Sequence, residues 1–553
     1  MARKSKNFKD QISLFDTKDS TVLRKNTNAH YYNKKNTLLT DDIVKKLKNY
    51  HLDNYIKDLT DLGLELTWDY ICQYTEKYGE NKSFLTISNF GEMYEIGLAV
   101  KDKILKKQSG QYYTPDDIAS VMGQWLDECD EENVCDVACG TGKLILTYLS
   151  LIGEKRAKAL INAGKLYLYD FDPIALKICK TAIVLKYQIQ NPDLIHDIYC
   201  DFLDAQIHLP EKCRVISNPP YASIESIEAY WKVTPVLIKT HELYSAFMEK
   251  IFNEALSTVI ITPFSFISAR KFNSLRKEMC KIGYGFIIAF DNVPGTIFSG
   301  RKHGVFNTNT ANSVRAAITV FHQSKERKGF RISPLIRFKN EERNSLLNSK
   351  VLIECLPDTY QLIDEKNDAF RKVFKDLEPL YQKWINGSNN KIKDVISKIE
   401  TPYFLDMPNT CRYYTTASAR KLERGGSISF YVKDESTFDF VYCLINSSFA
   451  YWWWRIFEGG ITYTSSLFYE LPLPLAKLTL EDKKFFNDMR IEMSKNENKY
   501  IIKKKNAGVA QENIKFPVKY RNMINDRIFS ILKTKIDSRV FDKVHANSFF
   551  GES

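Results

Sequence analysis

The amino-acid sequence predicts an α/β fold built on a Rossmann-like, doubly wound and mostly parallel β-sheet. Short runs rich in β-branched and aromatic residues recur between Gly110 and His322, and amphipathic helical segments separate the earlier runs. A turn that contains two glycines follows the first of these runs. A chain of 553 residues is too long for one ordinary core, so we expect two or three domains.

The runs that we expect to form strands are, in chain order, 133–138, 165–170, 196–200, 213–217, 257–262, 284–291 and 314–321. Residues 143–152 and 173–190 have the apolar spacing of helices and lie between the earlier runs. No helical segment is evident between the last two runs, which predicts an antiparallel hairpin at one edge of the sheet.

Changes in composition divide the chain into five parts. We expect a basic flexible arm at 1–38, an N-terminal helical cap at 39–108, the α/β domain at 109–325, a C-terminal mixed α/β domain at 326–478 and a basic helical segment at 479–553. The arm is rich in Lys, Asn, Ser and Thr, which is typical of segments without a packed core.

Charge and cysteine content restrict the class of protein. The formal net charge of +12 is compatible with a polyanionic partner, although many proteins are mildly basic. The 11 cysteines include no CxxC pair, which predicts reduced thiols in a cytoplasm and no metal site. No apolar run follows the basic N-terminus, so we expect neither a signal peptide nor a membrane span.

Two motifs at the ends of the first two strands indicate a nucleoside site. Gly140 and Gly142 allow a tight turn into a helix, where backbone N–H groups can approach a ligand closely, although such a turn is often only structural. Asp170 ends the next strand and can accept hydrogen bonds from ribose hydroxyls. Because a full GxGxxG is missing, a ligand without a pyrophosphate is favoured.

The third and fourth strands are followed by residues suited to an amino-substituted ring. Asp201 can accept a hydrogen bond from an adenine amino group while Phe202 packs on the ring, although a capping Asp and a core Phe would look the same. Asn218 and Pro219 offer an amide and a carbonyl oxygen, and Tyr221 offers a flat ring. Together they can hold a planar amino group.

These residues resemble the gamma-class N6-adenine DNA methyltransferases, whose cofactor segment precedes the glycine turn and whose catalytic motif is NPPY. The resemblance covers roughly residues 88–325, with a weaker likeness at 444–474, and departs from the family at Val137, where proline is usual. It implies S-adenosyl-L-methionine as cofactor, bound by Tyr112, Tyr113, Thr114, Pro115, Asp136, Ala138, Cys139, Gly140, Gly142, Asp170, Phe171, Asp201, Phe202 and Asn218. It implies catalytic roles for Asn218, Pro219, Pro220, Tyr221 and Phe298.

The activity that the resemblance implies is methylation of adenine N6 in double-stranded DNA, after the base is flipped out of the helix. Residues 109–325 would then be the catalytic domain and 326–478 the target-recognition domain. We expect DNA contacts from the tryptophans at 452–454, at least one of which packs in a core, and from the basic runs 499–505 and 519–527. A solvated helix face explains the basic runs nearly as well.

Three other readings remain open. Protein glutamine and RNA methyltransferases also use NPPY, a restriction enzyme can carry its own nuclease, and a specificity subunit can bind DNA without catalysis. No PD…D/ExK pattern is found in the N-terminal hundred residues, which favours a separate modification enzyme whose partner restriction endonuclease, if one exists, is encoded elsewhere. We expect a monomer, because one large recognition domain reading a non-palindromic target needs no twofold symmetry.

Overall fold

A computed structural model describes residues 114–223, 234–298, 314–364, 368–506, 509–536 and 538–551. The expected arm at 1–38 and helical cap at 39–108 lie outside the described residues, as do Tyr112 and Tyr113. Within the described ranges, no helix is both long and apolar enough to cross a membrane.

The centre of the molecule is an eight-stranded sheet with the order β3-β2-β1-β4-β5-β7-β6-β8. Its strands are β1 Asn133–Val137, β2 Leu166–Asp170, β3 Ile195–Tyr199, β4 Cys213–Ser217, β5 Ser257–Pro263, β6 Gly283–Phe290, β7 Ala316–Gln323 and β8 Gly329–Ile336. Strands β3, β2, β1, β4 and β5 are parallel, and β7 is antiparallel to both β5 and β6. The α/β fold class and its mostly parallel sheet are therefore confirmed.

The edge of the sheet differs from our expectation. Strands β6 and β7 do pair in antiparallel fashion, but β7 is inserted between β5 and β6. The edge is formed by β8, which pairs in parallel with β6 and lies beyond residue 325, where we expect the α/β domain to end. The sheet thus continues to Ile336, and the predicted hairpin is one strand in from the edge.

Helices cover both faces of the sheet. Those of the α/β part are α1 Asp116–Asp127, α2 Lys143–Ile152, α3 Glu154–Asn162, α4 Pro173–Tyr187, α5 Pro235–Thr240, α6 Leu243–Glu254 and α7 Asn273–Ile282. Successive residues of β4 enter opposite layers, since Ile216 packs in the core with α1 and α2 whereas Val215 packs in the core with α6 and α7. Burial on both faces explains why adjacent residues of the strand, Val215 and Ile216, are both apolar.

Helix α4 shows how local sequence sets these elements. Its N-cap is Asp172, whose carboxylate accepts hydrogen bonds from the backbone N–H of Ile174 at 3.0 Å and of Ala175 at 3.1 Å. Pro173 occupies the first turn, where its missing N–H costs nothing. The helix ends at Tyr187, slightly before the expected 190, because Gln188 adopts a left-handed conformation.

The C-terminal part mixes short strands and helices. Its strands are β9 Asn390–Lys391, β10 Ile396–Ser397, β11 Phe404–Pro408, β12 Ser427–Val432, β13 Pro472–Leu473, β14 Ile501–Asn506 and β15 Val509–Ile514. Its helices are α8 Arg343–Leu346, α9 Ser349–Glu354, α10 Glu378–Gly387, α11 Ile392–Val395, α12 Glu435–Ile445, α13 Ser448–Phe457, α14 Ser465–Phe468, α15 Leu480–Tyr500, α16 Val518–Ile531 and α17 Ser538–Asp542. The β14–β15 hairpin corrects our expectation that the segment 479–553 is helical.

The three consecutive tryptophans of α13 are all core residues. Trp452, Trp453 and Trp454 are at most 6% exposed. The indole N–H of Trp453 donates to the Leu467 carbonyl at 3.1 Å, and that of Trp454 donates to the Thr462 carbonyl at 3.0 Å. The expectation that these tryptophans touch DNA is therefore wrong, and core packing accounts for all three.

Both basic runs contain side chains that form ion pairs. In β14, the exposed Lys503 pairs with Glu512 at 2.9 Å. In α16, Arg521 pairs with Asp542 at 3.2 Å and Arg527 pairs with Asp482 at 2.6 Å. The arginines of the 519–527 run are thus committed to internal ion pairs, and contacts of either run with phosphates stay a prediction.

Candidate active site

The turn between β1 and α2 depends on left-handed backbone conformations. Ala138, Gly140 and Gly142 have φ angles of 61°, 53° and 90°. A Cβ atom at Gly142 would lie 2.5 Å from Sγ of Cys179 on α4, so glycine is needed there for space as well as for conformation. The turn brings the N-terminus of α2 close to the end of β1, as expected from the sequence.

Asp136, on β1, presents a buried carboxylate beneath this turn. The residue is 0% exposed, and its Oδ2 accepts a hydrogen bond from the backbone N–H of Ile145 at 3.2 Å. Its Oδ1 has no hydrogen-bond partner among the described residues. Burial, reinforced by the nearby Asp170, raises the pKa of Asp136 well above its usual range. A buried oxygen of this kind is a position that a donor group of a bound cofactor would satisfy.

Asp170 braces the turn from the end of β2. Its Oδ2 accepts a hydrogen bond from the N–H of Gly140 at 2.6 Å, and its Oδ1 accepts one from the N–H of Asp172 at 2.8 Å. Burial, followed by repulsion from Asp172, raises the pKa of Asp170 to about 7. Phe171, which is also predicted to bind the cofactor, lies between Asp170 and Asp172 in the sequence and is half-buried.

Asp201 and Phe202 make contacts that are structural. Oδ1 of Asp201 accepts a hydrogen bond from the N–H of Leu203 at 3.0 Å, and burial raises the pKa of Asp201. Phe202 is 4% exposed, and its ring meets Tyr169 edge-on with 5.7 Å between the ring centroids. The Nζ of Lys250 lies 4.8 Å from the Phe202 ring centroid. These contacts are those of a capping aspartate and a core phenylalanine, and the cofactor roles of Asp201 and Phe202 stay predictions.

The NPPY motif begins directly after β4. Ser217 donates a hydrogen bond to the Val137 carbonyl at 2.7 Å, which ties the ends of β4 and β1 together. Nδ2 of Asn218 donates to Oγ1 of Thr114 at 2.8 Å. Thr114 is buried and directly precedes Pro115, the N-cap of α1. The structure therefore brings Thr114, the first described residue of the predicted cofactor segment, to the NPPY motif.

Three aromatic rings surround the end of the motif. Pro219 is buried and Pro220 half-buried. The hydroxyl of Tyr221 donates to the Ile261 carbonyl at 3.2 Å. The Tyr221 ring lies 6.3 Å from that of Phe298 with an interplanar angle of 68°, and 6.3 Å from that of Tyr244. Phe298, distant in sequence, is thus placed beside the motif as expected.

Tyr244 was not singled out from the sequence. It belongs to α6, whose residues look like ordinary helix and core, and its hydroxyl shares a hydrogen bond of 3.0 Å with Oγ of Ser265. It is 1% exposed, and its position near Tyr221 arises only from the packing of α6 on the sheet. No local sequence signal would have identified it.

Asp291, at the end of β6, forms the centre of a buried ionic cluster. It accepts hydrogen bonds from Nε of Arg315 and Nε of Arg337, each at 2.8 Å, and from Nη1 of Arg455 at 2.5 Å. Burial opposes ionisation, but Arg455, Arg337 and Arg315 outweigh it and lower the pKa of Asp291 to about 2. Arg455 comes from α13, so the cluster joins the large sheet to the C-terminal part.

The predicted site residues therefore converge at the carboxyl edge of the parallel strands, where ligands bind in open α/β sheets. The glycine turn, Asp136 and Asp170 form one group, and the motif at 218–221 forms the other with Thr114 and Phe298. Buried carboxylates at a glycine turn, beside an amide and aromatic rings, suit transfer of a small group to a planar amine.

Comparison with known proteins places this site in a class. Residues 86–284 match the family model described as N-6 DNA Methylase. This segment contains the glycine turn, Asp170, Asp201 and the motif at 218–221, so the resemblance to N6-adenine DNA methyltransferases is confirmed.

Two curated relatives are methylases. The chain is 21% identical to the type I restriction enzyme MpnII methylase subunit of Mycoplasma pneumoniae over 323 residues, which are 53% of this chain and 54% of that protein. It is 27% identical to the type II methyltransferase M.VspI of a Vibrio species over 176 residues, which are 31% of this chain and 38% of that protein. The chain thus spans about half or less of the length of these curated relatives.

Among solved structures, a nuclease-deletion mutant of the type ISP restriction-modification enzyme LlaGI, in complex with a DNA substrate mimic, overlaps with 88% of this chain and 66% of that chain. The sequence identity is 11% and the TM-score is 0.43.

Proposed function

We propose that this protein is an S-adenosyl-L-methionine-dependent DNA methyltransferase that modifies adenine N6 in a specific double-stranded sequence. The observation that carries the proposal is the convergence of Asn218, Tyr221 and Phe298 beside the end of β1, with Thr114 bonded to the Asn218 amide. An amide, a proline carbonyl and two rings form a receptor for a flat ring that bears an amino group.

The residues of the motif would act by orientation and charge stabilisation. The Asn218 amide oxygen and the Pro219 carbonyl accept the two N6 hydrogens, which localises the nitrogen lone pair and stabilises the positive charge that develops on it. Tyr221 stacks on the flipped base, and Phe298, inclined at 68° to Tyr221, meets it from another side. S-adenosyl-L-methionine supplies a methyl group on a sulfonium. No general base is required, because the methylated ammonium readily loses its proton.

The first group of residues suits this cofactor. The unpartnered Oδ1 of Asp136 can accept a hydrogen bond from it, and Asp170, whose second oxygen atom already holds the turn, is placed for ribose hydroxyls. The backbone at Gly140 and Gly142 leaves no side chain between ligand and turn. We assign Tyr112, Tyr113, Thr114, Pro115, Ala138, Cys139, Phe171, Asp201 and Phe202 to the same pocket by resemblance.

We further propose that the protein is the modification component of a restriction-modification system, acting as a cytoplasmic monomer on DNA. One relative named above is the methylase subunit of a type I restriction enzyme and the other is a type II methyltransferase, which supports the proposal. The region 326–478 would read the target sequence, and a restriction endonuclease encoded separately would be its functional partner.

The direct test is to incubate the protein with S-adenosyl-L-methionine and unmethylated bacterial DNA, digest the DNA and quantify methylated nucleosides by mass spectrometry. We expect N6-methyladenine with the wild type and none with Asn218→Ala. Methylated glutamine or RNA in place of DNA would establish the first alternative function. Binding of both DNA and cofactor without transfer would establish a non-catalytic specificity subunit. Sequencing of the modified DNA then gives the recognition sequence.

A further inference from the structure

The segment 291–298, which carries Phe298 to the site, is fastened along its length. At its start, Asp291 is held by the arginine cluster. In its middle, the N–H of Gly295 donates to the Phe338 carbonyl at 2.9 Å. A Cβ at Gly295 would lie 2.7 Å from that same carbonyl oxygen, so the two backbones are in close contact. These attachments, on the N-terminal side of Phe298, restrain the position of Phe298.

Arg343 makes the final attachment, directly before Phe298. Its Nη1 donates to the Thr296 carbonyl at 2.7 Å, and its Nη2 donates to the Ile297 carbonyl at 2.6 Å. The residue lies at the start of α8 and is 8% exposed. Because one buried guanidinium donates hydrogen bonds to two consecutive carbonyls, the adjoining Phe298 has little freedom to shift.

The same guanidinium also holds the helix that follows the cofactor segment. Nε of Arg343 donates to Oδ2 of Asp117 at 2.5 Å, and Nη2 donates to Oδ1 at 2.9 Å. Asp117 lies in the first turn of α1, three residues after Thr114, which contacts Asn218. Arg343 therefore connects the Phe298 segment to the element that supports the catalytic amide.

We propose that Arg343 is a positioning residue for base flipping, which sets Phe298 relative to Tyr221 and Asn218. This inference rests on the proposed function. A planar guanidinium with several donors in a fixed fork can bind a carboxylate and two carbonyls at once, and a lysine ammonium cannot reproduce that geometry. A flipped base must displace its stacking and pairing partners, so a receptor held in advance lowers the barrier to transfer.

The chain offers a matched control for the loss of an arginine. Arg156 also binds its aspartate, Asp127, at two points, through Nη1 at 3.0 Å and Nη2 at 2.6 Å, and its side chain is more exposed than that of Arg343. Asp127 is the last residue of α1, about 15 Å along the helix axis from Asp117 at 1.5 Å per residue. Arg156→Gln thus removes an arginine–aspartate pair from the same helix, away from the Phe298 segment.

The experiment measures single-turnover methylation of two duplexes that contain the sequence identified by methylation mapping. In one duplex the target adenine is paired, and in the other it faces a mismatched base, which makes the adenine easier to flip. The proteins compared are the wild type, Arg343→Gln, Phe298→Ala and Arg156→Gln, and cofactor binding is measured for each by equilibrium dialysis.

On the paired duplex we expect Arg343→Gln and Phe298→Ala to lower the rate by roughly 10- to 100-fold, the scale for misplaced catalytic groups. On the mismatched duplex we expect both variants to recover to within about threefold of the wild type, because part of the flipping barrier has been removed. Arg156→Gln should behave as the wild type on both duplexes, and cofactor binding should stay within about threefold throughout.

Two results would overturn the inference alone: a wild-type rate for Arg343→Gln, or an equal loss on both duplexes, which indicates a general structural role. A wild type that methylates no DNA would instead overturn the proposed function, and the inference with it. If Arg343→Gln does not fold, Asp117→Asn provides the second variant, since it weakens the grip on α1 and leaves the Thr296 and Ile297 carbonyls bonded. It should show the same recovery on the mismatched duplex, and an equal loss on both would again refute the inference.

Discussion

Asn218 and Thr114 are joined by a hydrogen bond of 2.8 Å from the amide nitrogen to the threonine hydroxyl oxygen, across more than a hundred residues of sequence. In this arrangement the amide nitrogen of Asn218 faces Thr114. The other side carries the oxygen, the atom that we propose accepts a hydrogen from adenine N6. Thr114 thus orients the acceptor of the reaction without touching the base.

Replacing Thr114 by valine keeps the shape of the side chain and removes the acceptor. We expect Thr114→Val to lower the single-turnover methylation rate roughly tenfold, the equivalent of one neutral hydrogen bond, because the amide is no longer held in one orientation. Asn218→Ala should reduce the rate much further. Thr147→Val removes a hydroxyl that bonds within α2 to the Lys143 carbonyl, and its rate should match the wild type. An unchanged rate for Thr114→Val would contradict the orienting role.

The pKa of Asp170 predicts how cofactor binding depends on pH. Burial and Asp172 raise this pKa to about 7, and a carboxylate must be ionised to accept hydrogen bonds from both a ribose hydroxyl and Gly140. Below the pKa the free protein binds a proton that the complex must release, so the affinity falls as the pH is lowered. We expect binding roughly tenfold weaker at pH 6 than at pH 8, measured by isothermal titration calorimetry.

The control for this titration is Asp170→Asn, which cannot ionise. It should bind the cofactor more weakly at every pH and show no change between pH 6 and 8. A wild-type affinity that is flat over this interval would refute the assignment of Asp170 as the titrating group.

The glycine turn provides a test of packing against α4. A Cβ at Gly142 would meet Sγ of Cys179 at 2.5 Å, and Gly142 has φ of 90° and ψ of 23°, in the left-handed helical region. We expect Gly142→Ala to lower the free energy of unfolding by about 2–5 kcal/mol, from left-handed strain of about 1–2 kcal/mol and overpacking of about 1–3 kcal/mol, and to weaken cofactor binding. At Gly153 a Cβ would have nothing within 4 Å, but φ of 83° and ψ of 157° favour glycine, so Gly153→Ala should cost about 1–3 kcal/mol through strain alone and leave cofactor binding unchanged. Urea unfolding and equilibrium dialysis measure the two effects, and unchanged cofactor binding in Gly142→Ala would contradict the proposed role of the turn.

Removing the charge of Asp291 should destabilise the whole protein. Asp291→Asn leaves Arg315, Arg337 and Arg455 buried without their carboxylate, and we expect a loss of about 3–5 kcal/mol in the free energy of unfolding. Glu132→Gln, which removes the partner of Lys165 at the surface, should cost far less. Urea unfolding measures both variants. Similar losses in the free energy of unfolding would contradict a larger contribution from the Asp291 cluster.

The pH dependence of this contribution has a definite sign. The folded-state pKa of Asp291 is about 2, below the unfolded value near 4, so its stabilising contribution is fully present above pH 4 and is lost as the pH falls through 2. Asp291→Asn should therefore show a smaller loss of stability between pH 4 and pH 2 than the wild type, as measured by urea unfolding at each pH.

The positions of the strands along the chain and of the site motifs were predictable because both depend on local sequence. Strands β1, β2, β4 and β5 are short, mostly buried runs, and Asp136, Asp170 and Asn218 lie near the ends of their strands or directly after them. The helix at 143–152 was expected with its observed bounds, since the glycine turn begins it and Gly153 ends it. Local signals of this kind need no knowledge of tertiary packing.

What could not be predicted depends on contacts between distant parts of the chain. Strand β8 has the composition of a strand, but nothing in its sequence indicates that it pairs with β6 and extends the sheet past 325. Asp291 and Arg343 look like ordinary surface charges, and only folding brings their partners to them from positions 455 and 117. The tryptophans at 452–454 were misjudged for the same reason, because a second core encloses all sides of α13.

The Asp291 cluster also limits how such enzymes can be recombined. Domain exchange between relatives is an obvious route to new sequence specificity, and a cut between the large sheet and the C-terminal part would be the natural junction. Here that junction crosses a buried ionic network, since Arg455 bonds both Asp291 and the Leu335 carbonyl, and Tyr451 bonds Arg337. A transplanted C-terminal part that lacks Arg455 and Tyr451 would leave Asp291, Arg337 and the Leu335 carbonyl buried without these hydrogen-bond partners. Productive chimaeras must therefore carry both residues across with the C-terminal part.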